Sequence, residues 1–465
     1  MITPAQNKPS STTSSTTSSK ANSAAAALYR RIWRWHFYAG FFCLPFVLTL
    51  SVSGLIYLFK PQIDQWVERP FQHLEITENR HTPQAQIDAA IASLPGSKLV
   101  SYQLPDHEAQ AVVINLIVQG EQWRVYLNPY NLAVLKSLPF ESQFIRQVRT
   151  FHGELLAGNI GSVLVELAGC WAIILLVTGL YLWWPRNRRG LAGILYPRWR
   201  AGGRIFWRDI HAVTGIWIAA VTLFFLISAL PWTLVWGTAF KEVRQWHKPS
   251  LTQDWSSGRS AERQLAQASG EHIHHGSAPM PSPVLHQAIL NQAQRLNFTS
   301  PVEISANAEG NWKISSQTQN RPKRADAVVD AQNATLLSIR QFEQKPLLDR
   351  IIGIGVAAHE GQLFGWLNQL IGVLTALGLI LISISGFIMW RTRKPDGRLG
   401  APAAFQGSEG EEFTVAVFPK PLLVTLIFLA LFLPLVGISV IVLLIFERAV
   451  VTQFPGFQRW LGITN

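Results

Sequence analysis

Five stretches of this chain are long and apolar enough to cross a lipid bilayer, and they constrain its fold more than any other feature. They lie at about 37–59, 160–184, 212–236, 367–390 and 421–446. Only 15% of the residues are charged, against about 25% in ordinary soluble domains. Because a run of about 18 or more nearly uncharged residues is typical of a membrane helix, the sequence predicts an α-helical integral membrane protein with five transmembrane helices.

The basic residues predict how these helices are oriented. The formal net charge is +12, and the basic residues concentrate beside three helix ends, at 30–34, 186–208 and 391–398. The positive-inside rule places these ends in the cytoplasm. An odd number of spans then leaves the N-terminus in the cytoplasm and the C-terminus outside. Because the basic residues flank helix ends and form no separate domain, a nucleic-acid partner is not expected.

The chain divides into two similar halves followed by one further helix. Residues 1–27 are rich in Ser, Thr and Ala and are expected to form a disordered cytoplasmic N-terminus without a cleaved signal peptide. Each half comprises a transmembrane helix, an external α+β domain and a second transmembrane helix with an external extension. The predicted segments are 28–60, 61–150 and 151–185, a cytoplasmic loop at 186–210, then 211–236, 237–350 and 351–390, a cytoplasmic loop at 391–420, a transmembrane helix at 421–446 and an external C-terminus at 447–465.

Both external domains are predicted to contain a helix followed by short antiparallel strands. The helices begin near residues 82 and 283, where apolar side chains recur at helical spacing. Strands are predicted at 111–118, 123–127 and 132–135 in the first domain, and at 303–305, 312–315 and 334–337 in the second. We therefore expect two small separate domains, one in each half.

Four histidines occupy matching positions in the two halves. His36 and His211 are each followed by Gly after four residues and by Ser-Gly or Ser-Ala at offsets of 17 and 18. His152 and His359 are each followed by Gly after six residues and by Thr-Gly or Ser-Gly at offsets of 26 and 27. Two spans in each half make both copies enter the membrane in one direction, as in parallel repeats related by an axis along the membrane normal. The pattern predicts that His36 faces His211 near the cytoplasm and that His152 faces His359 near the outer face.

Paired imidazoles at these positions point to haem. Two histidines on opposite faces of a haem give a six-coordinate iron suited to electron transfer, and a polar ring in a bilayer is costly unless it is paired or coordinated. The chain has no Cys-x-x-Cys-His motif, which excludes covalent c-type attachment. A zinc or copper site completed by Asp209, Glu154 or Glu360 remains an alternative, and so do interfacial histidines that only form hydrogen bonds.

Several polar residues near the spans have two interpretations each. Arg146, Arg149 and Arg350 precede the outer histidines and are candidates to contact haem propionates or an anionic substrate, with snorkelling to the membrane interface as the alternative. Glu166 lies well inside a predicted span, either as a proton carrier or propionate contact or as a group satisfied by a local partner.

Two further groups of residues are expected to be structural. The cysteines Cys43 and Cys170 both lie inside predicted spans and are expected to be small packing residues. A cluster of His272, His274 and His275 could bind a metal weakly or belong to a solvated loop, and the loop is the favoured interpretation.

Five short motifs and two external domains carry a family resemblance that covers roughly residues 28–395. The motifs are Trp-His-Phe-Tyr-Ala-Gly at 35–40, Phe-His-Gly-Glu-Leu at 151–155, Leu-Tyr-Leu-Trp-Trp-Pro at 180–185, Asp-Ile-His-Ala-Val-Thr-Gly at 209–215 and Ala-His-Glu-Gly at 358–361. With these motifs the chain resembles the PepSY-associated transmembrane family of bacterial inner-membrane proteins, which includes ferric-siderophore reductases and iron-uptake proteins. The turns of the external domains, Asn-Pro-Tyr-Asn at 128–131 and Asp-Ala-Gln-Asn at 330–333, depart from the commoner Thr-Gly of PepSY modules.

This resemblance implies a location, cofactors and an activity. The location is a bacterial inner membrane, and the external domains are PepSY-like modules in the periplasm. The implied cofactors are two b-type haems, with His36 and His211 as axial ligands of one and His152 and His359 as axial ligands of the other. The implied activity is outward electron transfer that reduces a ferric siderophore or a similar ferric chelate. Electrons would come from a separate cytoplasmic or membrane donor, because no dinucleotide-binding or Walker motif is present.

Two other functions remain open on the sequence alone. A PepSY scaffold that binds partners without redox activity would contain no haem and would give the four histidines no role. A permease for a metal chelate would need a polar route through the membrane, and apart from Glu166 the spans offer few polar residues. A monomer and a homodimer are both compatible with the sequence.

Overall fold

The computed structural model describes residues 13–77, 80–185, 190–247, 283–402 and 420–462. The histidine cluster at 272–275 lies outside these described residues. Within them, five segments are long and apolar enough to cross a membrane, and each reaches a mean hydropathy of at least 2.1 over 18 residues. These segments are Ala25–Leu58, Gly158–Trp183, Gly203–Trp232, Trp366–Arg393 and Pro434–Gln453. The chain is therefore a multi-pass membrane protein, as the sequence predicts.

The described elements are thirteen helices and eight strands. The helices are Thr13–Leu58 (α1), Lys60–Glu68 (α2), Pro83–Ser93 (α3), Phe144–Glu154 (α4), Gly158–Trp183 (α5), Gly203–Ala229 (α6), Val235–His247 (α7), Gln287–Leu296 (α8), Leu347–His359 (α9), Trp366–Arg393 (α10), Lys420–Phe432 (α11), Pro434–Ala449 (α12) and Pro455–Leu461 (α13). The strands are Lys98–Leu104 (β1), Val112–Val118 (β2), Glu121–Leu127 (β3), Val134–Pro139 (β4), Val302–Ala306 (β5), Trp312–Ser316 (β6), Ala325–Val329 (β7) and Leu336–Gln341 (β8).

Helix α1 begins earlier than the composition of the N-terminus suggests. The prediction that residues 1–27 are disordered is wrong for residues 13–27, which belong to α1. Alanines occupy positions 24–27, and alanine has the highest helix propensity. Because adding residues to an existing helix is far easier than nucleating a new one, the apolar span can extend through these alanines toward the N-terminus.

All eight strands form one antiparallel sheet, in the order β4-β3-β2-β1-β5-β6-β7-β8. The prediction of two separate external sheets is therefore wrong. Strands β1 and β5 pair through the registers Tyr102 to Ile304 and Leu104 to Val302. Each set of four strands would otherwise expose a row of unpaired N–H and C=O groups along β1 or β5. Pairing the two edges satisfies these groups and joins the halves.

One apolar core serves both halves of the sheet. It contains Ile87 of α3 and Ile289 of α8 together with buried residues of β1, β2, β3, β5, β6 and β7. Tyr102 and Trp312 are fully buried within it. Burying a large apolar side chain contributes roughly 1.5–3 kcal/mol, so each half stabilises the other through this shared core.

The span predicted at 421–446 consists of two helices rather than one. Helix α11 ends at Phe432 and α12 begins at Pro434, and Leu433 between them has φ −113° and ψ 83°. Proline lacks an N–H and clashes with the preceding turn, so a helix cannot continue through it undisturbed. The predicted single kinked helix over 421–446 is thereby corrected to the helices 420–432 and 434–449.

The segment after α12 returns to the arginine-rich end of α1. The carbonyl of Leu461 accepts a hydrogen bond from the hydroxyl of Tyr38 at 2.7 Å, and the carbonyl of Gly462 accepts one from Arg34 at 3.1 Å. Arg34 also donates to the carbonyl of Pro402 at 2.7 Å. Residues 461–462 therefore lie at the same end of α1 as Arg34. The side of the membrane on which residues 447–465 lie stays a prediction, and these contacts place residues 461–462 beside the basic end of α1.

The chain forms two compact units. The first unit comprises the described residues of 1–48, 167–226 and 378–465, and it contains His36 and His211. The second unit comprises the described residues of 49–166 and 227–377, and it contains the sheet together with His152 and His359. Each predicted histidine pair thus belongs to a single unit.

Candidate functional site

The first unit brings His36 and His211 together, as the repeat pattern predicts. His36 lies on α1 and His211 on α6, and their ring centroids are 6.4 Å apart with an angle of 88° between the ring planes. The two residues are 175 positions apart in the chain, so only the packing of α1 and α6 accounts for their proximity.

A hydroxyl group on α5 fixes the orientation of His36. The Oγ1 atom of Thr178 donates its proton to the carbonyl of Ile174 at 2.8 Å. The same oxygen lies 2.9 Å from Nδ1 of His36, and with its own proton engaged it accepts the Nδ1–H. This hydrogen bond selects the tautomer in which Nε2 of His36 keeps a free lone pair.

His211 is fixed in the same way by α10. Its Nδ1 lies 3.1 Å from the carbonyl oxygen of Ile382 and 3.3 Å from Oγ of Ser385. A carbonyl can only accept, and Ser385 donates its own proton to Ile382 at 3.0 Å. Nδ1 of His211 must therefore carry the proton, which again leaves Nε2 as the atom available for coordination.

The spacing of the two rings fits coordination of one metal ion from opposite sides. Such rings have centroids about 6.2 Å apart, given about 2.0 Å for each metal–nitrogen bond and about 1.1 Å from nitrogen to centroid. The observed 6.4 Å agrees with this value. A plain edge-to-face contact falls in the same range of distances, but it does not require both Nδ1 atoms to be held by acceptors, as they are here.

Glycines allow the helices to approach both rings. A Cβ atom built on Gly179 of α5 would lie 3.2 Å from Cε1 of His36, and one on Gly386 of α10 would lie 3.5 Å from Cε1 of His211. Each glycine directly follows the hydroxyl residue that holds the same ring. Each of these two imidazoles therefore packs against a hydroxyl residue and the glycine that follows it.

The second unit orients His152 by the same arrangement. Nδ1 of His152 lies 2.9 Å from Oγ of Ser53 on α1, and Ser53 donates its own proton to the carbonyl of Thr49 at 2.9 Å. A Cβ atom on Gly54 would lie 3.2 Å from Cε1 of His152. Removal of the ring from water, assisted by the nearby His359, lowers the pKa of His152 to about 4. The imidazole is therefore neutral at pH 7 and its Nε2 lone pair is available.

His359 has an equivalent partner on α6. Its Nδ1 lies 2.9 Å from Oγ of Ser228. Helix α9 ends at His359, and the turn that follows is held by Asn368, which donates to the carbonyl of Ala358 at 2.9 Å and accepts from the N–H of Leu363 at 3.1 Å. The position of His359 is thus set from α6 on one side and from α10 on the other.

The residues that sequence reasoning missed are these hydroxyl partners. The dipeptides at 53–54, 178–179, 228–229 and 385–386 served in the sequence only as markers of the repeat. Each histidine contacts the dipeptide that follows the other histidine of its half. Ser53, which follows His36 along α1, contacts His152, and Thr178, which follows His152 in sequence, contacts His36. The equal spacing between each histidine and the dipeptide after it indicated that these dipeptides matter. It did not indicate which histidine each dipeptide contacts.

The predicted arginines lie close to the outer histidines in sequence and in fold. Arg146 and Arg149 are on α4, two turns and one turn before His152, and each is an electrostatic neighbour of the Tyr57 hydroxyl. Arg350 is on α9, and within the described residues its Nε atom has no hydrogen-bond partner. Contact of these side chains with a propionate or a substrate stays a prediction.

Glu166 has local partners that account for its charge. Its two carboxylate oxygens accept the backbone N–H groups of Val235 and Trp236 at 2.7 and 2.8 Å. These groups lie at the N-terminus of α7, where the helix dipole favours a negative charge. Of the two sequence interpretations of Glu166, this geometry matches the group satisfied by a local partner.

Asp209, one of the three acidic residues proposed for a zinc or copper site, has other partners. Asp209 is buried and accepts two hydrogen bonds from Arg198, at 2.7 and 2.9 Å, and one from Arg208 at 2.9 Å. Among the described residues, no group of three or more His, Cys, Asp or Glu side chains is placed to hold a metal ion. The His36–His211 site therefore offers two nitrogen ligands. This number suits a metal ion that takes its remaining ligands from a cofactor.

These features define a class of protein: a multi-pass helical membrane protein whose helices hold histidines in pairs and carry an antiparallel sheet. The chain belongs to the family described as PepSY-associated TM region, whose model matches residues 33–393. The family predicted from the sequence motifs is therefore confirmed. No curated protein matches this chain.

Proposed function

We propose that this protein is a di-haem b electron-transfer protein of a bacterial inner membrane. In this proposal, His36 and His211 ligate one haem, and His152 and His359 ligate the other. The observation that carries it is the arrangement common to all four histidines: each Nδ1 lies within hydrogen-bond distance of a hydroxyl on a neighbouring helix. Metal-ligating histidines in proteins almost always have such a partner on the other ring nitrogen.

The chain's own residues have three tasks in this function. The hydroxyl partners hold each imidazole neutral in the Nδ1–H form, so that Nε2 can ligate. The glycines that follow three of these hydroxyls let the rings of His36, His152 and His211 pack closely between helices. Two histidine ligands for each iron leave no coordination position open, which favours electron transfer over the binding of an external ligand. When bound, the haems supply one-electron redox chemistry at two positions.

The proposed direction of transfer follows from the basic residues. The arginine-rich end of α1 and the loop before α6 would face the cytoplasm by the positive-inside rule. Electrons would enter near His36 and His211 from a reduced cytoplasmic or membrane donor. They would leave near His152 and His359, in the unit that carries the sheet. The two halves would be related by an axis along the membrane normal.

The proposed electron acceptor is Fe(III) in a siderophore or a similar oxygen-rich chelate. One electron converts Fe(III) to Fe(II), and hard oxygen ligands hold the less highly charged ion more weakly. Reduction therefore releases iron from the chelate without breaking a covalent bond of the chelator. The family to which the chain belongs supports a membrane protein of this type, and the acceptor itself is part of the proposal.

The test is a reaction between the reduced protein and a ferric chelate. We expect the dithionite-reduced, desalted protein to be reoxidised by a ferric trihydroxamate under anaerobic conditions, with Fe(II) trapped by a ferrous-specific chelator. The same chelate loaded with Ga(III), which has no accessible one-electron reduction, serves as the control. Reoxidation by neither chelate, in a protein that holds haem, would contradict the proposed acceptor while leaving the haem sites in place.

A further inference from the structure

One loop distinguishes the two halves of the sheet. Strands β2 and β3 are joined by a turn of residues 119–120, whereas the equivalent strands β6 and β7 are joined by residues 317–324. The longer loop carries Arg321 and Arg324. It packs against α9, as the side chain of Phe342 and Cβ of Arg321 both approach Gly353. A loop that is extended in only one of two similar halves is a candidate for a specific task.

The extended loop contains buried polar atoms that lack partners. Within the described residues, no hydrogen bond reaches Nε2 of Gln319, Oδ1 of Asn320 or Nε of Arg321. Leaving a buried polar atom unpaired is costly, and three of them in consecutive residues require an explanation. Arg321 also lies over the ring of Trp232, at 5.6 Å from the ring centroid.

Arginines from two other elements face the same region. Arg124 of β3 and Arg146 of α4 both lie over the ring of Phe140, at 5.3 and 4.0 Å from its centroid. The electrostatic neighbours of the Tyr57 hydroxyl are Arg146, Arg149 and Arg321, together with Glu360. The loop, α4 and β3 therefore contribute to one group of arginines, and we call this group the arginine cluster, defined as Arg124, Arg146, Arg149, Arg321 and Arg324.

Carboxylates lie among these positive charges. Glu68 pairs with Arg124 at 3.5 Å, and the other carboxylates near the cluster are Glu141, Glu303, Asp326 and Glu360. Five guanidinium groups thus face five carboxylates, and one of these, Asp326, is shared with Lys313 at 3.7 Å. Removal from water lowers the pKa of Arg146 to about 10, and its positive neighbour Arg149 adds to this effect. The pKa of Arg324 is lowered to about 10 in the same way, with Arg321 as the positive neighbour.

We propose that the arginine cluster binds an oxyanion of the carboxylate type. Guanidinium groups bind carboxylates through charge-assisted and bidentate hydrogen bonds, and an incoming anion would supply the acceptor that the buried Nε of Arg321 lacks. Two sources share this chemistry: a propionate of a haem held by His152 and His359, and a carboxylate-bearing ferric chelate. The assignment of either source rests on the proposed function, whereas the binding of an anion does not.

The experiment measures citrate binding and haem content on the purified full-length protein. Citrate affinity is determined by calorimetry, and haem is counted by the pyridine haemochrome method. The variants are Arg321→Gln and Arg324→Gln, which remove cluster charge, and Glu303→Gln, which removes an opposing charge. The matched control is Lys323→Gln, which removes an exposed positive charge from the same loop.

Two results support the proposal and identify the source of the anion. If the cluster binds a soluble carboxylate chelate, citrate binds the wild-type protein. Arg321→Gln or Arg324→Gln then weakens citrate binding about tenfold or more, as expected for a lost charge-assisted hydrogen bond. Glu303→Gln then strengthens binding, which a damaged fold could not do, and Lys323→Gln has no effect. If the cluster binds a haem propionate, citrate does not bind. Arg321→Gln and Arg324→Gln then shift the reduction potential of one haem or lower the haem content, and Lys323→Gln does neither.

The proposal is overturned if the wild type binds no citrate and both arginine variants retain the haem content and potentials of the wild type. A failure of the proposed function gives a different result. A colourless protein would contradict the haem sites, and the citrate titration would still test the arginine cluster on that protein.

Discussion

At the scale of single residues, each histidine depends on a hydroxyl that belongs to another helix. Thr178 and Ser385 hold the rings of the first unit, and Ser53 and Ser228 hold those of the second. In the cases of Thr178, Ser53 and Ser385, the hydroxyl proton is donated to a backbone carbonyl of its own helix. The oxygen is then available only as an acceptor, so the helix backbone indirectly sets the tautomer of the imidazole.

Replacing Thr178 by Val tests this role at His36. Valine keeps the shape of threonine but removes the acceptor for Nδ1–H, so the ring loses its fixed tautomer and orientation. We expect haem affinity at this site to fall by about 10- to 100-fold, the usual effect of removing such a partner. The reduction potential of one haem should shift as well. Titration of the haem-free variant with haem measures the affinity, and redox titration of the purified variant measures the potential. Thr178→Ser, which keeps the acceptor, should behave like the wild type.

The glycine beside Thr178 gives a second residue-scale prediction. A Cβ atom on Gly179 would meet Cε1 of His36 at 3.2 Å, whereas one on Gly169 in the same helix meets only Leu226 at 3.9 Å. We expect Gly179→Ala to displace the His36 ring and to alter the absorption spectrum of one haem, and Gly169→Ala to leave it unchanged. Equal spectra for the two variants would show that the close approach at Gly179 has no consequence for the site.

The sequence predicted the four histidines and their pairing but not the groups that hold them. Equal offsets behind His36 and His211, and behind His152 and His359, identified the pairs. The partner of each ring is set by the packing of α1 against α5 and α4, and of α6 against α10 and α9. A single sequence reports periodicity within a helix and contains no direct record of which helices become neighbours.

At the scale of elements, Glu166 links α5 to the start of α7. Its carboxylate accepts the N–H groups of Val235 and Trp236, two of the donors that a helix N-terminus leaves unpaired. This placement explains how a charged residue is retained in an apolar segment. It also means that a proton on Glu166 would disrupt the contact, so the residue is poorly suited to carry protons.

We therefore expect Glu166 to contribute to stability rather than to electron transfer. Glu166→Ala should destabilise the second unit by about 1–3 kcal/mol, the usual cost of leaving buried donors unpaired, and should lower the thermal unfolding temperature in detergent. Glu166→Gln, which keeps an amide oxygen as acceptor, should lose less. The reoxidation rate of the reduced protein by a ferric chelate should be unchanged in both variants, and a large loss of rate with unchanged stability would contradict this role.

The joining of the two sheets shows why element pairing was harder to predict than element type. Strands β2 and β3 agree with the predicted positions, because their apolar residues form clear runs. Strands β1 and β7 were not predicted, since both mix polar with apolar residues. Without β1, the edge that pairs with β5 could not be identified, and the two halves were expected to form separate domains.

At the scale of the whole molecule, contacts near the end of the described chain favour a different side of the membrane from the one expected for the C-terminus. Counting five apolar stretches gives an odd number of crossings, but the hydrogen bonds of Arg34 and Tyr38 to Gly462 and Leu461 return the chain to the starting end of α1. The break before Pro434 divides the fifth stretch into two helices. Hydropathy measures length and composition, and it does not detect a change of direction within an apolar segment.

This topology predicts the reactivity of introduced cysteines. Arg204→Cys and Gln453→Cys, both at exposed positions, should react with a membrane-impermeant maleimide from the same side of inverted or right-side-out vesicles. Lys136→Cys, on the sheet, should react from the other side if the proposed orientation holds. The native Cys43 and Cys170 are buried and should give little background. Opposite accessibility of positions 204 and 453 would contradict the return of the chain.

The central claim is that four histidines hold two haems, and the absorption spectrum of the purified protein tests it most directly. We expect oxidised and dithionite-reduced spectra with sharp low-spin b-type bands and about two haems per chain. His36→Ala and His359→Ala should each remove about half of the haem, because each leaves one histidine pair intact. His286→Ala, which alters a histidine outside both pairs, should leave the spectrum unchanged. A colourless wild-type protein, produced with haem supplied during expression, would contradict the account.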